Sequence, residues 1–415
     1  MADDKKKPDI HPALIAALPV ADGQLAIGGL PVERLAARVG RTPFYAYDRA
    51  LVSRRVGELR THLPEGVHVN YAVKANPMPA LAQHLAGLVD GFDVASGGEL
   101  KMVLDTPMPA GRISFAGPGK TDAELEQAVA AGVTLHVESV TEARRLAAAG
   151  QRLGLQPVAA VRVNPDFELK GFGMRMGGGA QQFGIDAEEV PAVLGEMQGL
   201  GIDVVGFHIF TGSQNLKAQV LVDAQAAIID LALRLADGVT GGLRHVNIGG
   251  GFGIPYFSSD PRLDLAVVGE SLQGPVDKVR AAHPGAEVIV ELGRYLVGES
   301  GYYVTRVVDR KVSRGQVYLV TDGGLNHHLT ASGNLGQVIR RNFPVVIGNR
   351  LGAAATGPAS VVGPLCTPLD LLADKMDLPD AQVGDLVVIL QSGAYGPSAS
   401  PAGFLGHPPA VEVLV

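Results

Sequence analysis

The chain has 415 residues, of which 47% are hydrophobic and 19% charged, and it carries a net charge of −7 at neutral pH. This composition is typical of a globular enzyme with one large domain or two smaller ones. The negative charge argues against a nucleic-acid-binding surface, which needs a basic face. The single cysteine excludes an intramolecular disulfide and a cysteine-rich metal site.

The N-terminal residues, MADDKKKPDI, are charged, and no apolar signal-peptide core follows them. We therefore predict a disordered or extended tip over residues 1–24. Residues 25–48 are expected to contribute a strand to a later β-domain. The sequence contains no uninterrupted apolar run long enough to span a bilayer. These features favour a cytoplasmic protein without a membrane or nucleic-acid partner.

Between residues 49 and 299, short β-rich runs alternate with helical stretches. The stretches 121–132 and 139–150 both end in glycine, and the first opens with a capping box of Thr121 and Glu124. The β-rich runs predict eight strands, at 67–74, 91–95, 112–116, 133–137, 157–163, 203–209, 244–249 and 287–292. Eight strands alternating with helices are the pattern of a (β/α)₈ TIM-like barrel. A doubly wound open sheet is the competing arrangement.

Residues 300–415 have a different pattern, with short strands separated by turn residues and little helical signal. The predicted strands lie at 301–312, 316–324, 343–348, 354–364, 385–390 and 408–415. This pattern predicts a C-terminal β-domain of the sandwich or barrel kind.

Polar residues close several of the predicted barrel strands. Lys74 ends the first, Asp93 lies in the second, His208 in the sixth and Glu291 in the eighth. In a (β/α)₈ barrel the active site lies at these carboxyl ends of the strands. A lysine among apolar walls has a lowered pKa and can act as an amine nucleophile toward a carbonyl. We therefore predict that Lys74 is chemically active.

A glycine-rich turn at 249–253 follows the seventh predicted strand, and its exposed N–H groups suit a phosphate. Glu291 could hold a heteroaromatic nitrogen protonated, and Arg294 is a bidentate partner for phosphate. His208 offers a flat ring for stacking. A phosphorylated aromatic aldehyde satisfies all these features, which indicates pyridoxal 5′-phosphate (PLP) as the cofactor.

Each feature also has a simpler structural interpretation. Taken alone, Lys74 is more often a solvated strand-end residue and His208 a packed histidine. The segment 114–121, SFAGPGKT, is similar to a phosphate-binding loop, but Ser114 occupies the position of the first glycine. The turn at 249–253 fails the dinucleotide-binding pattern because Ile254 replaces its last glycine.

Eight motifs occur in a fixed order over roughly residues 40–415: YAVKAN, FDVASGGEL, GFHIFTGSQ, NIGGGFG, ELGRYLV, TDGG, GPLCTPLD and GAYG. With this order and spacing, the sequence resembles the fold-type III PLP-dependent decarboxylases, which include diaminopimelate and ornithine decarboxylases. The resemblance implies an alanine racemase-like architecture, with an eight-stranded α/β barrel followed by a β-domain. It also implies a head-to-tail homodimer with shared active sites.

The resemblance assigns roles to residues by motif. Lys74 resembles the Schiff-base lysine, and His208 the histidine that stacks on the pyridine ring. Glu291 resembles the acid that pairs with the ring nitrogen, and Cys366 the cysteine that reaches the partner subunit's cofactor. The positions similar to the phosphate-binding residues are Ser213, Gly250, Gly251, Gly293, Arg294 and Tyr395.

The implied reaction is decarboxylation of an amino acid or amino-acyl substrate bound through PLP at Lys74. It proceeds through a quinonoid that Cys366 is expected to protonate. An acid at the ring nitrogen, Glu291, favours decarboxylation, because the related alanine racemases place an arginine there. A PLP-dependent racemase is the less favoured alternative.

The residues near the expected substrate differ from both familiar branches. Ornithine decarboxylases have an aspartate directly after the cysteine, where this chain has Thr367, although Asp370 remains. Diaminopimelate decarboxylases have a glutamate there and an Arg-Pro segment after the DGG motif, which this chain lacks. HIFTGSQNL and GPLCTPLDLL are most similar to the exosortase-associated and carrier-protein-linked amino acid decarboxylases. A carrier-linked amino-acyl substrate is therefore implied, with diaminopimelate as the alternative.

Weaker candidates for substrate contacts are Asp322 in the DGG motif, Asp370, and the pair Arg340 and Arg341. The two arginines could meet a carboxylate or the acidic helix of a carrier, or lie on the surface. A PLP-binding protein without decarboxylase activity would be expected to lack Lys74 or Cys366.

A metal-dependent barrel hydrolase is a further rival class. It would need several histidines or carboxylates at strand ends in ligand geometry. The sequence offers only His208, Asp93 and Glu291, and the adjacent pair His327-His328 suits a loop better than a metal site. We therefore expect no metal.

Overall fold

The computed structural model describes residues 12–168, 174–337 and 339–415, and these residues form two compact units. The unit termed here the barrel unit comprises Ser53–Ile254 and Arg262–Leu296. The unit termed the sheet unit contains the chain up to Val52, Pro255–Pro261 and Val297–Val415. The first eleven residues of the predicted tip lie outside the described residues.

The barrel unit is built on eight parallel strands. They are β1 (Val67–Ala72), β2 (Gly91–Val94), β3 (Ile113–Phe115), β4 (Thr134–Val137), β5 (Val158–Asn164), β6 (Asp203–His208), β7 (His245–Asn247) and β8 (Glu287–Leu292). Each strand pairs in parallel with the next, and β8 pairs with β1. The sheet therefore closes into the predicted (β/α)₈ barrel, and the open-sheet alternative is wrong.

Helices follow the barrel strands. The helices from residue 49 to residue 297 are Arg49–His62, Pro79–Leu85, Gly97–Leu104, Asp122–Ala131, Val140–Leu153, Val190–Gly199, Ala218–Leu235, Leu265–Ala282 and Arg294–Val297. Short 3-10 turns lie at Val73–Ala75, Ala110–Arg112 and Ala236–Gly238. Two-residue strands lie at Met174–Arg175, Ile185–Asp186 and Gly212–Ser213. Within the described ranges, no helix is long and apolar enough to cross a membrane.

Two predicted helix boundaries can be compared directly with the structure. The capping box of Thr121 and Glu124 is present at the start of the helix Asp122–Ala131. The predicted end at Gly150 is wrong, because that helix continues to Leu153 and ends at Gly154, which has a φ of +65°. Gly150 serves packing instead, since a Cβ there would lie 2.6 Å from the ring of Pro157.

Within the described residues, the sheet unit contains a small N-terminal sheet, a larger sheet and two helices that lie wholly inside it. The helices are Pro12–Ala16 and Val32–Val39, and the small sheet consists of Val20–Ala21, Gln24–Ile27 and Leu30–Pro31. The larger sheet consists of Phe44–Tyr47, Gly301–Ser313, Gln316–Thr321, Val345–Ile347, Gly357–Val362, Leu371–Leu378, Leu386–Ile389 and Val411–Leu414. Short 3-10 turns lie at Gly298–Ser300, Gly348–Arg350, Pro397–Ala399 and Phe404–Gly406.

Two strands of the larger sheet extend or correct the sequence prediction. Phe44–Tyr47 pairs with Gly301–Ser313 and with the last strand, Val411–Leu414, so the N-terminal region does contribute a strand. Leu371–Leu378 was not predicted. Its pairing shifts register, and Lys375 has a φ of +46°, so a bulge interrupts the alternation by which a strand is recognised.

Candidate active site

Lys74 lies in the 3-10 turn Val73–Ala75, directly after β1. The strand ends two residues earlier than predicted, so the lysine belongs to a turn and not to the sheet. The carbonyl of Asn76 accepts a hydrogen bond from the buried hydroxyl of Tyr71 at 2.8 Å, which ties the turn back to the strand. The Lys74 side chain is 42% exposed, and its Nζ lies 3.7 Å from Oε1 of the buried Glu291.

Four titratable side chains form a buried layer inside the barrel, termed here the polar layer. They come from the four even-numbered strands: Asp93, His136, His208 and Glu291. Alternate strands of such barrels supply one layer of the core, and these layers are usually filled by Val, Ile or Leu. Here the rings of His136 and His208 lie 4.4 Å apart, and Nε2 of His208 lies 3.4 Å from Oε2 of Glu291.

Asp93 is the buried acid of this layer whose pKa is raised. Burial raises its pKa well above the usual value, and the nearby Glu291 carboxylate raises it further, against a smaller opposing effect of Lys74. Its Oδ1 accepts a hydrogen bond from the hydroxyl of Ser114 at 2.9 Å. The protonated form of Asp93 is therefore favoured relative to that of an exposed aspartate.

The two histidines of the polar layer are neutral. Burial lowers the pKa of both His136 and His208 well below the usual value, and His136 further disfavours the charged form of His208. Neither nitrogen of either ring has a hydrogen-bond partner among the described residues. The ring of His245 lies 5.4 Å from that of His136. Burial lowers the pKa of His245 to about 4.

The glycine-rich loop after β7 passes directly against the end of β8. The side-chain oxygen of Asn247 accepts a hydrogen bond from the N–H of Gly249 at 2.8 Å, and its amide nitrogen lies 3.4 Å from Oε2 of Glu291. Gly249 has a φ of +66°, and a Cβ on Gly250 would collide with the carbonyl oxygen of Glu291. Glycine is therefore required for this close approach.

Ser213 and Gly251 belong to two segments that are hydrogen-bonded to each other. The N–H of Asn215 donates to the carbonyl of Gly251 at 2.8 Å, and the N–H of Gly253 donates back to the carbonyl of Asn215 at 2.9 Å. Ser213 lies two residues before Asn215, in the short strand Gly212–Ser213. The predicted serine and glycines therefore lie on neighbouring loops of the barrel unit.

Gly293 and Arg294 follow β8. A Cβ on Gly293 would lie 2.8 Å from Cβ of Ala75, so this glycine lets the end of β8 pack against the lysine turn. Arg294 begins the short helix Arg294–Val297. The barrel-unit residues proposed from the sequence thus lie either at the carboxyl ends of the strands, as His208 and Glu291 do, or on the segments that follow these strands.

The two acidic candidates of the sheet unit are occupied by bonds within their own unit. Oδ1 of Asp322 accepts from the hydroxyl of Thr305 at 2.7 Å and from the N–H of Arg306 at 2.9 Å, and Oδ2 accepts from Thr42. Asp370 has a different arrangement, in which the donors to its carboxylate within the described residues are backbone N–H groups.

The N–H of Leu325 donates to Oδ1 of Asp370 at 2.6 Å, and that of Leu365 donates to Oδ2 at 2.8 Å. The aspartate thereby joins the segment after the TDGG motif to the segment that contains Cys366. We conclude that Asp370 maintains local backbone structure.

The arginine pair divides into two structural roles. Arg340 donates to the carbonyls of Ser332 at 2.9 Å and Leu371 at 2.6 Å. The guanidinium carbon of Arg341 lies 3.5 Å above the ring of Phe257, and one of its nitrogens lies 3.7 Å from Asp260. Both arginines therefore have partners within the sheet unit.

The remaining sheet-unit candidates are Cys366 and Tyr395. Cys366 is exposed. Tyr395 is half-buried, with a φ of +54°, which is uncommon for a residue other than glycine.

Three side chains of the barrel unit were missed by the sequence analysis: His136, Asn247 and Arg162. Arg162 forms a buried ion pair with Glu138 at 2.7 Å and lies opposite His208 in the pairing of β5 with β6. Each of the three occupies a predicted strand, so the signal that could have found them is the inward-facing alternation of these strands.

Comparison with known proteins identifies the family. Residues 49–298 match the model of the pyridoxal-binding domain of pyridoxal-dependent decarboxylases, which is more than half of the chain. The chain belongs to this family. The predictions of a PLP cofactor and of a decarboxylase fold are thereby confirmed.

Two relatives and one crystal structure show which decarboxylases the chain is similar to. It is 35% identical to the L-glutamyl-(BtrI acyl-carrier protein) decarboxylase of Niallia circulans, over 90% of this chain and 88% of that protein. It is 31% identical to the diaminopimelate decarboxylase of Aquifex aeolicus, over 95% of this chain and 91% of that protein. A crystal structure of SrLDC in complex with PLP and cadaverine is 26% identical, with a TM-score of 0.78, and covers 94% of both chains.

The barrel unit of this decarboxylase fits PLP. It combines a lysine amine near a buried carboxylate, a buried imidazole whose nitrogens have no hydrogen-bond partner in the described ranges, and a loop in which a Cβ would collide with the chain. These groups match an aldehyde, an aromatic ring and a phosphate.

Proposed function

We propose that the enzyme decarboxylates an amino-acyl group attached to a carrier protein. The distal end of this amino-acyl group carries no cation. The observation that supports this most directly is that both acidic candidates of the sheet unit already have hydrogen-bond donors within that unit. Asp322 and Asp370 are already engaged by Thr305 and by backbone N–H groups, and Thr367 follows the cysteine in place of an acid. A substrate with a distal ammonium group would therefore lack the carboxylate that it needs.

The relative from Niallia circulans supports the same substrate class, because it is described as acting on an L-glutamyl group held by an acyl-carrier protein. The distal carboxyl of such a glutamyl group, once joined to a carrier, is uncharged. Diaminopimelate is the second candidate, since the Aquifex aeolicus relative is a diaminopimelate decarboxylase and aligns with 95% of this chain. A distal ammonium group argues against it here.

We infer the following roles in the barrel unit. PLP, when bound, supplies an electron sink for the carbanion that remains when CO₂ leaves. The amine of Lys74 would hold the cofactor, and the carboxylate of Glu291 would keep a proton on the ring nitrogen. The neutral imidazole of His208 would stack on the ring and exclude water from it.

The phosphate contacts are proposed on the segments that follow β6, β7 and β8. Their members are Ser213, Gly250, Gly251, Gly293 and Arg294, with Tyr395 of the sheet unit added from the family resemblance. The backbone N–H groups of the glycine loop are suited to an anion because no side chain covers them.

We also propose a homodimer in which the exposed thiol of Cys366 serves the site of the second copy. There the thiol would pass its proton from Sγ to the α-carbon of the substrate. Mixing inactive Lys74→Ala and Cys366→Ala proteins should then restore up to about a quarter of wild-type activity, because half of randomly mixed dimers contain one intact site. Mixtures that stay inactive after subunit exchange would contradict shared sites.

The substrate proposal can be tested by CO₂ release from a matched panel. The panel contains γ-glutamyl thioesters on an acyl-carrier protein and on pantetheine, with free glutamate, diaminopimelate and ornithine. We expect the highest kcat/KM for the carrier-bound substrate, and turnover of the pantetheine thioester without its carrier would separate acyl recognition from protein recognition. Preference for diaminopimelate or ornithine would overturn the proposal.

A further inference from the structure

His136 and His208 project from alternate strands of the barrel. His136 pairs with Ala160 of β5 on one side, and Gly206 of β6 pairs with the same alanine on the other. The two rings meet across this intervening strand, 4.4 Å apart and inclined by 39°. His136 therefore forms part of the surface on which the His208 ring rests.

No hydrogen bond to a described residue fixes the plane of His208. Its Nε2 lies 3.4 Å from Glu291 without forming a hydrogen bond, and its Nδ1 also has no partner among these residues. The ring contact with His136 is the aromatic contact observed for His208 in the described chain. The orientation of this imidazole must therefore depend on packing.

His136 is expected to lower the stability of the fold at this position. It is fully buried, and neither of its nitrogens has a hydrogen-bond partner in the part of the chain that the structure describes. An unpartnered buried polar group destabilises a fold, whereas an aliphatic side chain is usual in such a barrel layer. Nor do His136, His208 and His245 form a metal site, because the described residues contain no group of three or more suitable ligands in metal-binding geometry.

We propose that His136 is a positioning residue, whose flat ring sets the plane of the His208 imidazole for stacking against the cofactor. This inference rests on the proposed role of His208. His136 would not contact the cofactor itself, because it would act only through His208. An offset or tilted aromatic pair supplies orientation that an aliphatic side chain of similar volume does not.

Two substitutions separate ring shape from volume. His136→Leu fills the space without a flat ring, and His136→Phe restores a flat ring without polar atoms. The measurements on the full-length apoenzyme are the melting temperature and the imidazole NMR signals of His208, assigned by their loss in His208→Gln. The dissociation constant for PLP is then measured by titration of each apoenzyme.

We expect His136→Leu to keep or raise the melting temperature, to shift the His208 signals, and to weaken PLP binding about three- to tenfold, the range over which an aromatic pair contributes. His136→Phe should restore PLP affinity to within about threefold of wild type. Unchanged His208 signals and unchanged PLP affinity in His136→Leu would overturn the proposal. So would a fall in melting temperature and PLP affinity in both variants, which would make His136 a structural residue.

The NMR readout distinguishes this inference from the proposed function. If wild-type enzyme binds PLP but His208→Gln binds it equally well, the assigned role of His208 fails, whatever the His136 variants do to its ring. If His208→Gln loses affinity and His136→Leu does not, only the positioning role of His136 fails.

Discussion

The acids of the barrel unit and those of the sheet unit occupy opposite kinds of environment. Asp93 and Glu291 are buried beside each other and beside Lys74, and the interaction of the two carboxyl groups helps to raise the pKa of Asp93. Asp322 and Asp370 accept several hydrogen bonds from their own unit, in which backbone N–H groups take part. All four lie in motifs that the sequence analysis singled out.

The groups around a carboxyl therefore distinguish an acid that takes part in catalysis from one that stabilises the fold. A carboxylate whose oxygens are occupied by backbone donors stabilises a loop and has little left with which to bind a ligand. A buried carboxyl that faces an amine, an imidazole and another carboxyl is held in a state that a proton or a bound ring can change. This contrast predicts that substitution of Glu291 mainly affects catalysis, and that substitution of Asp322 or Asp370 mainly affects stability.

The largest effect is expected from Glu291→Gln. The amide cannot hold a proton on the cofactor ring as a carboxylate does, so kcat should fall about 100-fold, a size typical of a lost proton-holding group. PLP should still bind. Steady-state kinetics with saturating PLP measures the effect, with Asp322→Asn as the matched control, whose kcat should stay within about threefold of wild type. Equal losses in both variants would remove the distinction between the two units.

Asp370→Ala should destabilise the fold with little change in kinetics. It leaves the N–H groups of Leu325 and Leu365 without an acceptor, which should cost about 3 kcal/mol of unfolding free energy. Asp370→Asn keeps one good acceptor oxygen and should cost less. Chemical denaturation measures both values. If instead KM for the preferred substrate rose about tenfold with stability intact, Asp370 would be a substrate contact.

A third, gradual effect concerns the pH dependence of stability. Because folding raises the pKa of Asp93, the unfolded chain loses this proton above about pH 4 while the folded chain retains it, so wild-type stability falls as pH rises. Asp93→Asn removes this term. Relative to wild type, the variant should therefore gain up to about 1.4 kcal/mol per pH unit from about pH 4 up to the raised pKa. A difference that is constant with pH would contradict a raised pKa of Asp93 in the folded chain.

Much of the barrel could be predicted because its signals are local. All eight strands show apolar runs between turn residues, and the capping box of Thr121 and Glu124 marks a helix start within four residues. The same locality explains the errors. Gly150 has the sequence context of a helix end, but its smallness serves packing on Pro157. The bulge at Lys375 conceals a strand.

The site was predicted less completely, because its remaining members are defined by distant partners. His136 lies on an inward-facing position of β4, which strand alternation could indicate, but its contact with His208 follows only from the barrel register. The partners of Asp370 are backbone N–H groups, and one of them lies 45 residues away. Backbone donors leave no trace in the side-chain sequence, so a structural acid and a substrate-binding acid share the same motif.

The most direct test is to locate the cofactor on the chain. Wild-type enzyme, Lys74→Ala and Lys74→Arg are each titrated with PLP, reduced with borohydride, digested and analysed by mass spectrometry. We predict a visible band at roughly 410–430 nm and a labelled Lys74 peptide in wild type only, because alanine has no amine and a guanidinium cannot replace it as a nucleophile. A band of equal strength in both variants, or a label on another lysine such as Lys120, would contradict it.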